Sequence, residues 1–142
     1  MIGDDHWAEL AATVPGGFAG IFYDRSIHRQ VLMLTQPALS AAARAALAGK
    51  VGLGLTPTVR QARWDFAQLV DWFNYILPHL GGTPVVADKD EGANRIRLSV
   101  TSVKDRDLVI AALARLPLPC DLVIVDLNGF TVQFVRARSG EP

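Results

Sequence analysis

Three histidines are the side chains best suited to proton transfer: His6, His28 and His79. Catalysis requires a nucleophile, a base and an orienting group that meet, and none of the three belongs to a recognisable pairing motif. His28 follows Asp24 by four residues, so a carboxylate–imidazole couple is conceivable there. A solvated turn of mixed charge is the favoured interpretation. His79 lies at a predicted helix end, where an imidazolium favourably opposes the helix dipole, and a structural role is expected.

The glycines of residues 49–54 resemble a phosphate-binding loop. They lack the G-x-x-x-x-G-K-[ST] order, however, and they lead into Leu55-Thr56-Pro57 instead of a helix. A helix cap at Gly49 followed by a glycine-bent strand fits these residues better. The acidic run 88–91 resembles a calcium loop but has no ligand at the twelfth position, and it is predicted to be a solvated hairpin loop.

Cys120 is the only cysteine, so the chain has neither an internal disulfide nor a cysteine-rich zinc site. No base or cation cluster lies near it in sequence, and we expect an inert, partly buried thiol. No pair of histidines lies one helical turn apart as metal ligands would. The sequence therefore predicts no catalytic residues, no metal and no cofactor, and we expect a protein that is not an enzyme.

The composition narrows the possible partners. Lys and Arg together number 14, as do Asp and Glu, so the formal net charge is zero. This balance argues against a nucleic-acid binder that neutralises phosphates and against a polybasic membrane binder. No apolar run approaches the ~18–20 residues of a membrane span, and acids stand in residues 1–10 where a signal peptide carries a basic start. We expect a soluble chain without a targeting signal, whose location the sequence leaves open.

Hydrophobic periodicity and chain breakers predict the order of the elements. The helices are expected at about 4–14, 37–48, 65–80 and 102–116, and the strands or extended segments at 18–23, 30–35, 51–55, 58–64, 83–88, 95–101, 121–127 and 130–136. Asp65 and Gln68 form a box-like start for the third helix, and Pro78 is expected to end its regular hydrogen bonding early. Asn128-Gly129 is a strong hairpin signal, because a type I′ turn needs positive φ at both central residues.

The two halves of the chain share one plan. We predict an α+β fold of two ββαβ units with antiparallel sheets, helices packed on one face, a long central helix joining the units and a β-hairpin at the end. In this alignment Asp24 corresponds to Asp88, and 31–34 to 96–99. The predicted segments are 1–17 (N-terminal helix and linker), 18–64 (first ββαβ unit), 65–82 (connecting helix), 83–136 (second ββαβ unit with the hairpin) and 137–142 (tail).

Two aromatic residues, Trp72 and Tyr75, lie on the third predicted helix outside its main apolar stripe. They widen the apolar face to nearly the whole circumference of the helix. Such a helix is either sandwiched between two sheets or partly exposed as a docking surface, and the sandwich is the favoured alternative.

Several segments occur in the order and spacing of one family. In that pattern an F-A-G-x-aromatic-hydrophobic-acid strand opens the first unit, an x-V-R-x-aromatic-[DS]-hydrophobic-x-Q-L stretch leads into the long helix, and an aspartate precedes N-x-[VI]-x-[VI]-x-V. The matching segments here are 18–24, 31–35, 59–69, 86–88 and 93–100. Over about residues 17–136 the chain thus resembles the prosegments of bacterial chymotrypsin-fold serine proteases, of the α-lytic protease and streptogrisin type.

This resemblance implies a non-catalytic domain that binds a trypsin-like serine protease as a folding chaperone or inhibitor, and it suggests a secreted origin. In such prosegments the C-terminal sheet docks on the protease by its edge, and the tail enters the active-site cleft. Carried onto this chain, the expected partner-binding residues are Leu127, Asn128, Gly129, Phe130, Thr131, Val132, Gln133, Phe134, Arg136 and Arg138. The alternative is a self-associating or ligand-sensing regulatory α+β domain unrelated to proteolysis, for which a homodimer is expected.

Overall fold

The structure is a computed structural model that describes residues 3–54 and 56–134, with side chains described as far as residue 129. The chain divides into two compact bodies. The N-terminal body comprises residues 1–70 and 91–94, and the C-terminal body comprises residues 71–90 and 95–142. Among the described residues, no helix combines the length and the apolar character needed to cross a membrane.

The N-terminal body contains a three-stranded sheet with strand order β1-β2-β3. Its elements are α1 (Asp4–Thr13), β1 (Phe18–Asp24), β2 (Arg29–Leu34), a 3-10 turn (Pro37–Leu39), α2 (Ser40–Leu47), β3 (Thr58–Gln61) and the start of α3 (Phe66–Ile76). β1 pairs with β2 antiparallel, whereas β2 pairs with β3 parallel. The predicted strand at 51–55 is not formed by its described residues, 51–54, which are irregular.

The sheet of this body is buried around its central strand. Leu32 and Leu34 of β2 pack in one apolar cluster with Phe18, Leu10, Ala43 and Leu47, which come from β1, α1 and α2. Val31 and Met33, which alternate with them and so point to the opposite face, belong to a second cluster with Ala19 and Ala62. A strand buried on both faces requires a continuous apolar run, and this explains the sequence Val-Leu-Met-Leu.

One glycine of β1 is required by its surroundings. Gly20 lies at a register irregularity of the β1–β2 pair and has φ 129°, a conformation that side chains with a Cβ rarely adopt. A Cβ at this position would lie 2.8 Å from Cβ of Glu91 and 3.0 Å from Cζ3 of Trp7. The indole of Trp7 in turn packs edge-on against Phe18 and Phe66, with ring centroids 5.6 and 5.2 Å apart.

The third helix begins as predicted and ends earlier. The Asp65 N–H donates to Gln68 Oε1 at 2.9 Å, and the Gln68 N–H donates to Asp65 Oδ1 at 2.8 Å, which confirms the reciprocal capping. Regular α-helix ends at Ile76 and continues as a 3-10 turn over Leu77–Leu80. Pro78 lies in this turn and lacks the N–H that another helical turn would need.

The C-terminal body carries a four-stranded sheet with strand order β4-β5-β6-β7. Its elements are β4 (Val86–Asp90), β5 (Arg95–Val100), α4 (Val103–Leu113), β6 (Val123–Leu127) and β7 (Phe130–Phe134). The β4–β5 and β6–β7 pairs are antiparallel, and β5–β6 is parallel. Ser102 caps α4, accepting a hydrogen bond from the Asp105 N–H at 3.0 Å.

The α+β class and the two ββαβ arrangements are therefore confirmed, but the prediction of antiparallel sheets was wrong. Both sheets are mixed, because the third strand of each unit lies parallel to the second. The physical reason is the helical crossover. A chain that leaves a strand, forms a helix over the sheet and returns beside that strand runs in the same direction again.

The two ββαβ units share one register with a constant offset of 66 residues (24 to 90, 29 to 95 and 59 to 125). Asp24 pairs with Arg29 across the first hairpin, and Asp90 pairs with Arg95 across the second. The residue before each arginine is left-handed, with φ 51° at His28 and φ 57° at Asn94. The predicted equivalence of Asp24 with Asp88 was therefore wrong by two residues, and the predicted loop at 88–91 belongs to β4 as far as Asp90.

Candidate protein interface

The hairpin that joins β6 to β7 has the predicted tight turn. Leu127 pairs with Phe130 in register, and the two residues between them, Asn128 and Gly129, have φ values of 47° and 89°. These values match a type I′ turn, whose twist suits the two strands. The Gly129 N–H also donates to Asp126 Oδ1 at 2.9 Å, so a side chain at the end of β6 supports the turn.

The tip of this hairpin is held against the end of β5. The Asn128 N–H donates to the carbonyl oxygen of Val100 at 3.2 Å, and Asn128 Nδ2 donates to the carbonyl oxygen of Thr101 at 3.1 Å. Asn128 thus provides both the left-handed turn conformation and two hydrogen bonds to a neighbouring strand. The hairpin is consequently fixed at its turn by hydrogen bonds to the end of β5.

An arginine on β5 links the strands beside the hairpin. Arg97 Nε lies 3.0 Å from Asp90 Oδ2 on β4, and Arg97 Nη1 lies 3.3 Å from Asp126 Oδ2 on β6. The three side chains are 17–27% exposed, which places this network at the sheet surface. Its contribution to stability is modest at such exposure, but it fixes the side chain of Asp126, which supports the turn.

The hydrogen bonds between β5 and β6 determine which groups of β7 face outward. The Ile96 N–H donates to Leu122 O at 2.9 Å, and the Asn128 N–H donates to Val100 O, so the even-numbered positions of β6 face β5. The odd-numbered positions of β6 therefore face β7, whose residues opposite them are Phe134, Val132 and Phe130. It follows that the N–H and C=O groups of Thr131 and Gln133 point away from β6.

β7 is the last strand of its sheet, and no strand among residues 3–54 and 56–134 pairs with its outer side. The first unit differs here. The Ala62 N–H donates to Leu34 O at 2.8 Å, as Asn128 does to Val100 at the equivalent position, but the chain then enters α3 instead of a further strand. The second sheet therefore has one strand more than the first, and that strand is β7. The outer edge of a terminal strand can act as a template for pairing with another chain.

The predicted partner-binding residues fall on this hairpin as far as the structure describes them. Leu127 is half-buried at the end of β6, and Asn128 and Gly129 are exposed in the turn. Residues 130–134 form the backbone of β7, and Arg136 and Arg138 lie outside the described residues. Sequence reasoning missed Arg97 and the Val100–Thr101 carbonyls that fix the hairpin. Only the aspartate two residues before Asn128 signalled a side-chain contribution to the turn.

The conceivable couple of Asp24 and His28 is not formed. Asp24 Oδ1 accepts hydrogen bonds from the hydroxyl and the N–H of Ser26 at 2.6 and 2.9 Å, and Arg60 Nη2 lies 2.6 Å from Oδ2. The hydrogen bond from the Ser26 hydroxyl, followed by that from Arg60, lowers the pKa of Asp24 from 3.8 to about 2. Asp24 is therefore an ionised partner of Arg60 and not the orienting group of a base.

This ion pair predicts a defined pH dependence of stability. The pKa of Asp24 is lower in the folded protein than in the unfolded chain, so its contribution is complete above about pH 4 and is lost as the pH falls through 2. Thermal unfolding midpoints of the wild type and of Asp24→Asn should differ at pH 5 and converge towards pH 2. A difference that stays constant from pH 5 to pH 2 would contradict the assignment.

The remaining candidate groups are Cys120 and the rings of Trp72, Tyr75 and His79. Cys120 is a buried thiol, 3% exposed. Tyr75 is 38% exposed, and its ring packs against Trp72 and His79 with centroid distances of 5.7 and 5.2 Å. Within the described part of the chain, no group of three or more His, Cys, Asp and Glu side chains is arranged to hold a metal ion.

No protein-family model matches this chain, and no curated protein or solved structure matches it. The resemblance to protease prosegments therefore stands on the shared residues alone. The α+β class and the strand order are taken from the structure and do not depend on this resemblance.

Proposed function

We propose that this protein is a non-catalytic interaction domain that binds a trypsin-like serine protease of the chymotrypsin fold, as a folding chaperone or an inhibitor, by adding a strand of the protease to the outer edge of β7. The observation that carries the proposal is that edge. Thr131 and Gln133 direct their backbone groups away from β6, and among the described residues no strand pairs with the outer side of β7.

Strand addition suits this edge physically. Main-chain hydrogen bonds supply affinity with little demand on the partner's sequence, and a segment held in an extended conformation is all that the edge requires. The bonds from Asn128 to Val100 and Thr101 hold the hairpin in place beforehand. A pre-ordered edge loses less conformational entropy when a partner binds, and this favours tight association.

The same edge supports a second candidate function, self-association in a regulatory domain. Two copies could pair β7 with β7 antiparallel, and a two-fold interface of this kind places the same residues of both copies opposite each other. A mass that rises with concentration in light scattering would favour this function. A monomer at all concentrations would count against it.

Inhibition of purified bacterial chymotrypsin-fold proteases tests the main proposal, and the panel includes any protease encoded beside or within the parent gene. The full chain is compared with a chain ending at Arg136. Tight inhibition that is lost on truncation would support the proposal and assign the cleft-binding role to residues 137–142. Tight inhibition by both chains would assign the binding energy to the hairpin. Failure of both to inhibit any protease of the panel would contradict the proposal.

A further inference from the structure

The N-terminal body contains an open cleft of about 410 Å³ beside the β1–β2 hairpin. One wall is formed by Tyr23, His28 and Arg29, and the other by Gly52, Gly54 and Thr56. The volume lies in the range of small-molecule sites. The second wall belongs to the glycine-rich segment that resembles a phosphate loop in sequence but does not have its order.

The side chain of Gln30 holds the segment that contains Gly52 and Gly54 in place. Gln30 Nε2 donates to the carbonyl oxygen of Gly52 at 2.6 Å, and the Gly54 N–H donates to Gln30 Oε1 at 2.5 Å. The amide of Gln30 thus pairs with this segment much as a neighbouring strand would. The segment remains irregular, and Gln30 is itself one of the residues that line the cleft.

The charge along the cleft is positive. Arg29 lies opposite Asp24 in the hairpin, but that carboxylate is occupied by Arg60 and Ser26. Arg29 forms no ion pair with the residues in 3–54 and 56–134, and no carboxylate is among the residues that line the cleft. An exposed guanidinium without a counter-charge at the mouth of a cleft attracts anions.

His28 is the second unusual group of the cleft. Its backbone is left-handed, φ 51°, as is that of Asn94 at the equivalent position of the second unit. Asn94 is buried and forms three hydrogen bonds to Arg63 and Trp64, whereas His28 is exposed and forms none among the described residues. The left-handed backbone belongs to the turn of both hairpins, but at His28 it leaves the imidazole exposed at the cleft and without a hydrogen bond to the described residues, so the ring is accessible to a ligand.

We propose that this cleft binds the phosphate group of a small organic phosphate. The guanidinium fork of Arg29 matches phosphate oxygens in a bidentate manner. The imidazole of His28 and the hydroxyls of Tyr23 and Thr56 supply further donors. The cleft is larger than a phosphate group, and the ring of Tyr23, which is 60% exposed, provides an apolar surface for the organic part. This site is independent of the β7 edge.

Isothermal titration calorimetry at low salt tests the proposal, with phenyl phosphate and inorganic phosphate as the probes. Phenyl phosphate should bind more tightly than inorganic phosphate, because only the former contacts the Tyr23 ring. Arg29→Gln should weaken the binding of phenyl phosphate by about tenfold or more, since it removes a bidentate charged contact. Arg25→Gln is the matched control. It removes the same charge from an exposed position of the same hairpin, but Arg25 does not line the cleft, so the affinity should change by less than about twofold.

His28→Asn extends the test, because asparagine also tolerates the left-handed conformation and is the residue found in the second unit. It should weaken phenyl phosphate binding while leaving the unfolding temperature unchanged. Equal losses for Arg25→Gln and Arg29→Gln would show a general charge effect and overturn the proposal. Absence of binding to the wild type at about 5 mM phenyl phosphate would also overturn it, as would equal affinities for the two probes.

Discussion

Replacing both Thr131 and Gln133 with proline is expected to abolish binding of the protease while the two sheets remain folded. Each proline removes an N–H that points away from β6, so the ladder between β6 and β7 keeps its hydrogen bonds. The partner strand would lose two donors and leave its own carbonyl groups unpaired. At ~1–3 kcal/mol for each unpaired group, the affinity should fall about 100-fold or more. Enzyme inhibition kinetics measure the loss.

The opposite edge of the same sheet offers a matched control. β5 turns its odd-numbered positions towards β4, where they pair with Val86, Asp88 and Asp90, so the backbone N–H of Ala87 points outward as well. Ala87→Pro therefore makes the same kind of change at the other edge and should leave protease binding intact. Retained affinity in the double-proline variant would reject edge docking on β7.

The largest effect on stability is expected for Asn94→Ala. The side chain of Asn94 is 5% exposed. Its Oδ1 accepts hydrogen bonds from the N–H groups of Arg63 and Trp64 at 2.7 and 3.0 Å, and its Nδ2 donates to the carbonyl oxygen of Trp64 at 2.9 Å. Alanine would leave these backbone groups without their partner at a buried position. We expect the free energy of unfolding to fall by ~3 kcal/mol in urea titrations.

His28→Ala is the control that separates the effect of the hydrogen bonds on stability from the effect of the left-handed backbone. His28 has the same left-handed backbone, but it is exposed and has no comparable bonds among the described residues. Its replacement should lower the free energy of unfolding by no more than ~1 kcal/mol, because histidine and alanine both carry a Cβ in the left-handed conformation and no comparable hydrogen bond is removed. If the two substitutions destabilise the protein equally, the three hydrogen bonds of Asn94 do not carry the effect.

Local signals explain why much of the fold could be predicted from the sequence. The turn at Asn128-Gly129 and the reciprocal capping by Asp65 and Gln68 depend on residues within a few positions of each other. Their chemistry is therefore visible in the sequence itself. The ββαβ order followed from the alternation of apolar periods and chain breakers, which is also a local property.

The errors arose where a distant partner decides the outcome. The sequence-based alignment of the apolar run 31–34 with 96–99 is wrong by one residue. In the structure Val31 corresponds to Arg97, since β2 is buried on both faces whereas β5 buries only alternate residues. The burial of Asn94 depends on Arg63 and Trp64, about 30 residues away, and no local pattern indicates such a contact.

The candidate interface also depends partly on local signals and partly on contacts between distant residues. Its position on the hairpin could be proposed from the turn signal and the resemblance. The outward-facing residues of β7 could not be predicted from the sequence. They depend on the parallel pairing of β5 with β6 and on the hydrogen bonds from Ile96 and Asn128. A slip of one residue would exchange the inward and outward groups of the strand.

Amide hydrogen exchange in β7 is the most direct measurement of strand addition. In the free protein, the amides of Val132 and Phe134 should be protected by β6, and those of Thr131 and Gln133 should exchange faster. In the presence of a saturating, catalytically inactivated protease that the protein inhibits, the account predicts that exchange at Thr131 and Gln133 slows by about tenfold or more. Unchanged exchange at these two amides in the saturated complex would contradict docking on the edge of β7.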